Sequence, residues 1–184
     1  MQMTLANKIT ILRIILIPLF IISILQRWEW SVLIYIPIMA SDCADGLIAR
    51  MRNERTTLGA FLDPLADRLL LIFTFLTLSY QRLIPRWILV LVLSRDFLVI
   101  LGWFLIFIIT DKKDVNPRLS GKVAVIFQMF FVLVTLTYPH HDPEIPSPQW
   151  NFFKIFLYLT AFATIISMID YTISGARKFG KETS

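Results

Sequence analysis

DCADGLIARMRNERTTLGAFLDPLAD, residues 42–67, places four aspartates, Asp42, Asp45, Asp63 and Asp67, between two apolar runs, Ser31 to Ala40 and Leu69 to Leu78. On or just inside membrane-like segments such acids need compensation, because a charge near a bilayer centre costs about 2.5–3.5 kcal/mol even on lenient insertion scales. The spacing says which compensation. Asp42 and Asp45 are three apart and Asp63 and Asp67 four apart, so each pair projects from one face of its own helix. Two such helices laid antiparallel would converge four carboxylates on one point. Hard divalent cations such as Mg²⁺ take oxygen ligands and bridge to substrate phosphates, so two ions there could neutralise the cluster and hold a diphosphate.

Outward from this stretch, the composition agrees. The chain has 184 residues, 57% of them hydrophobic, with a mean hydropathy of +0.69. That is too apolar for an ordinary soluble domain, nearer ~45–50%, and indicates an integral membrane protein. One compact domain, residues 1–184, is expected. The formal charge of +5 could suit nucleic acid, but the basic residues sit at segment ends instead of forming a stripe, which favours an anionic bilayer surface. Cys43 is the only cysteine, so no internal disulfide can form.

Six hydrophobic segments follow in order. Met1 to Lys8 reads as a mature polar N-terminus without a signal cleavage site, and Ile9 to Leu25 as span one, interrupted by Arg13 and Pro18. Trp28 and Trp30 mark an interface. Span two runs from about Trp30 to Arg50, and Met51 to Arg55 forms a basic connector. Span three covers Thr57 to Tyr80, where Pro64 is expected to kink the helix and free carbonyls. Pro85 suits the first turn of span four, Trp87 to Thr110, which contains Arg95 and Asp96. Span five covers Leu119 to Tyr138 and span six Trp150 to Ser174, with Gly175 to Ser184 left as a basic tail. The expected fold is an all-α bundle of six transmembrane helices.

Orientation follows from the basic residues at alternate ends. Lys8, Arg50, Arg52, Arg55, Lys112, Lys113, Arg118, Arg177, Lys178 and Lys181 fall on one side, and Arg27, Arg82 and Arg86 on the other. The positive-inside rule makes the first side cytoplasmic, with both termini and the acids opening to it. Asp67 and Arg95 each lie about ten residues into their spans, roughly 15 Å deep at 1.5 Å per residue. An arginine and a carboxylate at matching depth can line one polar cavity. Lys122 falls near the cytoplasmic mouth of span five.

Asp42, Asp45, Gly46, Ala49, Arg50, Gly59, Asp63 and Asp67 reproduce the pattern D-x2-D-G-x2-A-R-x8-G-x3-D-x3-D. On these residues the chain resembles the CDP-alcohol phosphotransferase family, six-helix membrane enzymes that join a CDP-linked lipid to a small alcohol. The resemblance implies metal-ligand roles for Asp42, Asp45, Asp63 and Asp67, with Asp67 also removing the acceptor's proton. It implies CDP-binding roles for Gly46, Arg50 and Gly59, and contacts from Thr56, Asn7 and Thr10. The ions would be Mg²⁺ or Mn²⁺, two per site.

The opening LANKITILRIILIP, the DPLADRLL around Asp63, the SRDF of span four and the LSGK leading into span five are most similar to the bacterial branch that uses glycerol 3-phosphate as acceptor. That branch carries Glu and Lys where Asp96 and Arg68 stand here. The likeness implies CDP-diacylglycerol as donor, phosphatidylglycerophosphate and CMP as products, a bacterial inner-membrane location and a homodimer, with no nucleic-acid partner. An acceptor bearing a phosphate needs cations of its own, and Arg95, Lys122, Ser120 and Arg118 are placed for that.

Blander readings stand beside these. Arg95 and Asp96 could form a purely structural pair, and Lys122 could be an interfacial snorkel. Gly46 and Gly59 could serve close helix packing alone. Cys43 fills space, and a thiolate suits softer metals. His140 and His141 lie in a proline-rich loop far from the acids. The aromatic residues from Trp150 to Tyr158 have interfacial and packing explanations. Another acceptor, such as phosphatidylglycerol, inositol phosphate or serine, would keep the same chemistry. A divalent-cation transporter is a further alternative, although an arginine beside the ligands does nothing for a cation pathway.

Overall fold

The computed structural model describes the backbone of residues 5–26, 30–52, 57–110, 119–137 and 148–182, and the side chains of 12, 14–26, 30–41, 67–102, 119–137 and 151–174. Six helices are described: α1 (Leu5–Leu25), α2 (Ser31–Arg52), α3 (Thr57–Tyr80), α4 (Arg86–Thr110), α5 (Leu119–Thr137) and α6 (Pro148–Glu182). Most boundaries fall where the apolar runs begin and end. Two do not. Helix α1 begins at Leu5 rather than Ile9, because the residues Leu, Ala and Lys of LANK all favour helix. Helix α6 continues past Ser174 to Glu182, so most of the expected tail is helical; Ala, Arg, Lys and Glu outweigh its two glycines. Its 35 residues span roughly 52 Å at 1.5 Å each, longer than a hydrocarbon core of ~30 Å. Helix α3 is continuous through Pro64.

The chain packs as two compact units, one of Met1–Leu83 with Thr135–His140, the other of Ile84–Val134 with His141–Ser184. In the first, α1 packs against α2 and α3. Ile17, Phe20 and Ile24 are buried at helical spacing on α1, and Phe20 stacks on Tyr35 of α2 with ring centroids 5.2 Å apart. Leu70, Leu71, Phe75 and Leu78 supply the buried side of α3. Helix α3 closes with paired bonds, Leu83 N–H to Leu78 O at 2.9 Å and Arg82 N–H to Ser79 O at 3.1 Å. Arg82 takes a left-handed conformation, φ 61°, at the position where glycine is usual. Gln81 Nε2 then donates to Leu25 O at 2.8 Å, satisfying a carbonyl that the end of α1 leaves without a helical partner.

In the second unit α4 packs against α6, with Ile88, Val92, Phe131, Phe153 and Leu157 among its buried apolar side chains. Polar groups join α5 to α6. Gln128 Nε2 donates to Thr164 Oγ1 at 3.3 Å, and Thr160 Oγ1 to Phe127 O at 3.2 Å.

Which groups face outward is the informative feature. On α6 the buried face carries Thr160, Thr164 and Ser167, whereas Ile155, Phe162, Ile166, Ile169 and Ile173 are exposed. Helix α1 likewise exposes Leu12, Ile15, Leu19 and Ile22. Water-facing helices show the reverse order. A surface richer in large apolar groups than the interior behind it suits lipid, where polar and small residues join helices instead. Among the described residues, Leu119–Thr137 and Asn151–Ser174 are each long and apolar enough to cross a membrane. Ile14–Leu25 and Ser31–Ser41 are shorter apolar stretches. These helices point to a membrane protein.

Candidate functional site

The acid-bearing positions fall on two helices of the first unit. Helix α2 carries Asp42, Asp45, Gly46 and Arg50, and α3 carries Gly59, Asp63 and Asp67. Asn7 and Thr10 lie on α1, which packs against both. The side chains of Asn7, Thr10, Asp42, Asp45, Gly46, Arg50, Gly59 and Asp63, and Thr56 altogether, lie outside the described residues. So do the side chain of Cys43 and the whole of His140 and His141.

Asp67 is described: it is half-buried, and both it and its neighbour Arg68 are engaged by partners. Beyond it, α3 turns apolar. The hydroxyls of Thr74 and Thr77 donate back to Leu70 O at 2.6 Å and Phe73 O at 2.7 Å, so these two groups are satisfied within the helix. Asp67 is thus the last acid before the buried apolar stretch of α3.

The second polar centre belongs to the second unit and is built around Arg95 of α4. Its side chain is 0% exposed. Nε donates to Ser167 Oγ of α6 at 3.1 Å, Nη1 to Asp96 Oδ1 at 2.7 Å, and Nη2 to the Gly121 carbonyl of α5 at 3.1 Å. The guanidinium carbon also lies 5.8 Å from the centroid of the Tyr171 ring on α6, a cation–π distance. The Arg95–Asp96 ion pair is therefore real and almost wholly buried, at 0% and 2% exposure. Burying either partner alone would cost several kcal/mol on the order of magnitude usual for such ions. Of the five guanidinium N–H groups, three are engaged by described residues. Among the described residues, one N–H on Nη1 and one on Nη2 have no acceptor.

Ser120, one residue before Gly121, donates to Asp170 Oδ2 of α6 at 2.5 Å. Lys122 is exposed. Arg118 lies outside the described residues. The structure therefore brings Arg95 to the segment holding Ser120 and Lys122, through the carbonyl between them.

Sequence reasoning assigned no role to α6, yet Ser167, Asp170 and Tyr171 all contact this centre. Their signal was available: three polar-capable side chains at i, i+3 and i+4 within an apolar helix share a face, and an aspartate there demands a partner. Gly121 was also missed. A Cβ at that position would stand 2.9 Å from both Arg95 Nη2 and the Tyr171 hydroxyl oxygen, so the close approach of the guanidinium depends on the missing side chain.

Comparison with known proteins places this arrangement in context. A family model described as CDP-alcohol phosphatidyltransferase matches residues 3–169. Similar proteins include one from Bacillus subtilis (strain 168), 31% identical over 183 residues, covering 91% of this chain and 92% of its own. One from Aquifex aeolicus (strain VF5) is 30% identical over 184 residues, covering 98% and 100%. One from Yersinia pestis (strain Pestoides F) is 27% identical over 186 residues, covering 93% and 94%. Each of the three bears the name CDP-diacylglycerol–glycerol-3-phosphate 3-phosphatidyltransferase.

Proposed function

The chain belongs to the CDP-alcohol phosphatidyltransferase family, and on that premise we propose that it transfers the phosphatidyl group of CDP-diacylglycerol to sn-glycerol 3-phosphate, giving phosphatidylglycerophosphate and CMP. One observation carries this reading. The full eight-position acid and glycine pattern of residues 42–67 lies within a chain similar, nearly end to end, to three proteins that bear the name of that reaction.

The chemistry follows from the residues. Asp42, Asp45, Asp63 and Asp67 offer only hard carboxylate oxygens, a donor set that fits Mg²⁺ or Mn²⁺ and not a soft metal. Bound there, two such ions would neutralise the diphosphate of the donor lipid and the charge developing on departing CMP. Arg50 forks onto phosphate oxygens, while Gly46 and Gly59 admit the nucleotide close to the backbone, with Asn7, Thr10 and Thr56 completing its contacts. Asp67 accepts the proton of the acceptor hydroxyl. That oxygen attacks the lipid-bearing phosphorus directly, a new P–O bond forms, and the bond to CMP breaks. Arg95, Arg118, Ser120 and Lys122 take the acceptor's own phosphate.

The same reading makes the chain one catalytic domain with six membrane-crossing helices and both termini cytoplasmic. It resides in a bacterial inner membrane as a homodimer, with its site facing the cytosol. The test is direct. Purified protein given CDP-diacylglycerol, glycerol 3-phosphate and Mg²⁺ should release CMP and form phosphatidylglycerophosphate by mass spectrometry. Asp67→Asn should abolish both while the protein remains folded. A preference for another alcohol in an acceptor screen would move the assignment within the family, and no CMP release with any alcohol would remove it.

A further inference from the structure

We propose that the α6 face formed by Ser167, Asp170 and Tyr171 is the positioning element of the acceptor-phosphate subsite, holding Arg95 and the Ser120–Lys122 segment in register for a phosphate monoester. The inference rests on the reading that Arg95 and the segment from Ser120 to Lys122 serve the acceptor phosphate, and it assigns roles to residues that reading does not use. Asp170 and Tyr171 lie beyond residue 169, the last position matched by the family model.

The three residues stand at i, i+3 and i+4 on α6 and so share one side of the helix. Each touches the subsite. Ser167 Oγ accepts from Arg95 Nε at 3.1 Å, Asp170 Oδ2 accepts from Ser120 Oγ at 2.5 Å, and the Tyr171 ring lies 5.8 Å from the guanidinium carbon. The Tyr171 hydroxyl also closes on Gly121, where a Cβ would meet it at 2.9 Å. An arginine on its flexible stem has many rotamers, and holding one of them costs side-chain entropy. Here Nε is fixed from α6, Nη2 from α5 and Nη1 from Asp96, so the plane of the guanidinium is set by three directions at once.

The chemistry of these contacts bears on phosphate recognition. A hydroxyl, a backbone carbonyl and an aromatic face hold the cation without neutralising it, leaving Asp96 as the one carboxylate bonded to it among the described residues. A guanidinium held mainly by neutral groups keeps more attraction for a dianionic phosphate than one boxed in by acids. The N–H groups on Nη1 and Nη2 that have no acceptor among the described residues are of the kind that suits phosphate oxygens. Asp170 serves a different end: it accepts the Ser120 hydroxyl and so ties the start of α5 to the same helix face, and a shift of α6 would disturb Arg95 and the Ser120–Lys122 segment together.

The experiment compares KM for glycerol 3-phosphate with KM for CDP-diacylglycerol in purified, detergent-solubilised full-length protein. Ser167→Ala and Tyr171→Leu should each raise KM for glycerol 3-phosphate about five- to tenfold, the scale of one net hydrogen bond or one partly desolvated cation–π contact, with KM for CDP-diacylglycerol within about twofold. Tyr171→Phe keeps the ring under the guanidinium and should show a smaller rise than Tyr171→Leu. Asp170→Ala should act in the same direction as Ser167→Ala. Because KM does not depend on the active fraction, partial loss of folded protein does not obscure the result, and Tyr171→Phe supplies a readout if a larger change prevents folding.

Arg95→Lys separates the two layers. If it raises KM for glycerol 3-phosphate while the α6 variants leave both KM values as in the parent or shift them equally, the positioning role is overturned alone. If Arg95→Lys itself leaves that KM unchanged, the acceptor reading fails and the inference fails with it.

Discussion

Replacing Gly121 by alanine is the sharpest single perturbation that the second unit offers. The new methyl would stand 2.9 Å from Arg95 Nη2, 2.9 Å from the Tyr171 hydroxyl oxygen and 3.1 Å from Tyr171 Cε2. Ordinary carbon contacts want about 3.5–4.0 Å, so something must move. Tyr171 is half-buried and can yield, but Arg95 is 0% exposed and held at three nitrogens. Moving it stretches the 3.1 Å bond from Nη2 to the Gly121 carbonyl. Overpacking of this kind costs about 1–3 kcal/mol, and a hydrogen bond to a charged group contributes about 1.5–3 kcal/mol. Against these, alanine gains up to about 1 kcal/mol over glycine in helix propensity. The balance is a loss of about 1.5–5 kcal/mol of stability, with KM for glycerol 3-phosphate raised about tenfold or more. Thermal unfolding in detergent and initial rates at varied acceptor concentration measure the two. An alanine variant as stable as the parent, with an acceptor KM within twofold, would refute the tight packing around this carbonyl.

Gly102 is the contrasting case: nothing lies within 4 Å of the Cβ that alanine would add in α4, so Gly102→Ala should stabilise by about 0.5–1 kcal/mol, read as a higher unfolding midpoint. Arg82 holds φ 61° at the end of α3, a conformation costing most residues roughly 1–2 kcal/mol; Arg82→Gly should therefore raise thermal stability by about 1 kcal/mol, and a drop would contradict the cap geometry. Asp96→Ala leaves the buried guanidinium without its carboxylate and should destabilise by about 3–5 kcal/mol, seen as a large fall in the folded fraction, whereas a neutral result would mean that the pair carries little.

Much of this architecture was legible because the determining forces are local. Apolar runs bounded by Tyr80, Arg86 and Leu119 mark helix ends, and the bounds of α3 coincide with the expected ones. The eight-position pattern lies within one stretch of chain, so spacing alone exposes it. What escaped notice depends on tertiary contact. Ser167 and Tyr171 look like ordinary packing residues of an apolar span until Arg95 of α4 is placed beside them, and a glycine such as Gly121 shows no need for its missing side chain until the guanidinium arrives. Asp170 could have been found, since an acid in a lipid-facing helix must be engaged. The extension of α6 to Glu182 was obscured by Gly175 and Gly180, which read locally as breakers although their neighbours favour helix.

The proposed chemistry requires α2 and α3 to present their aspartates to shared divalent ions. Equilibrium binding of Mn²⁺ to the purified protein in the presence of CDP-diacylglycerol, followed by electron paramagnetic resonance, measures that property without relying on turnover. About two ions per chain are expected for the parent, with fewer or weaker sites in Asp42→Asn and Asp63→Asn. Binding that is absent in the parent, or equally strong when Asp42 and Asp63 are replaced, would contradict the claim.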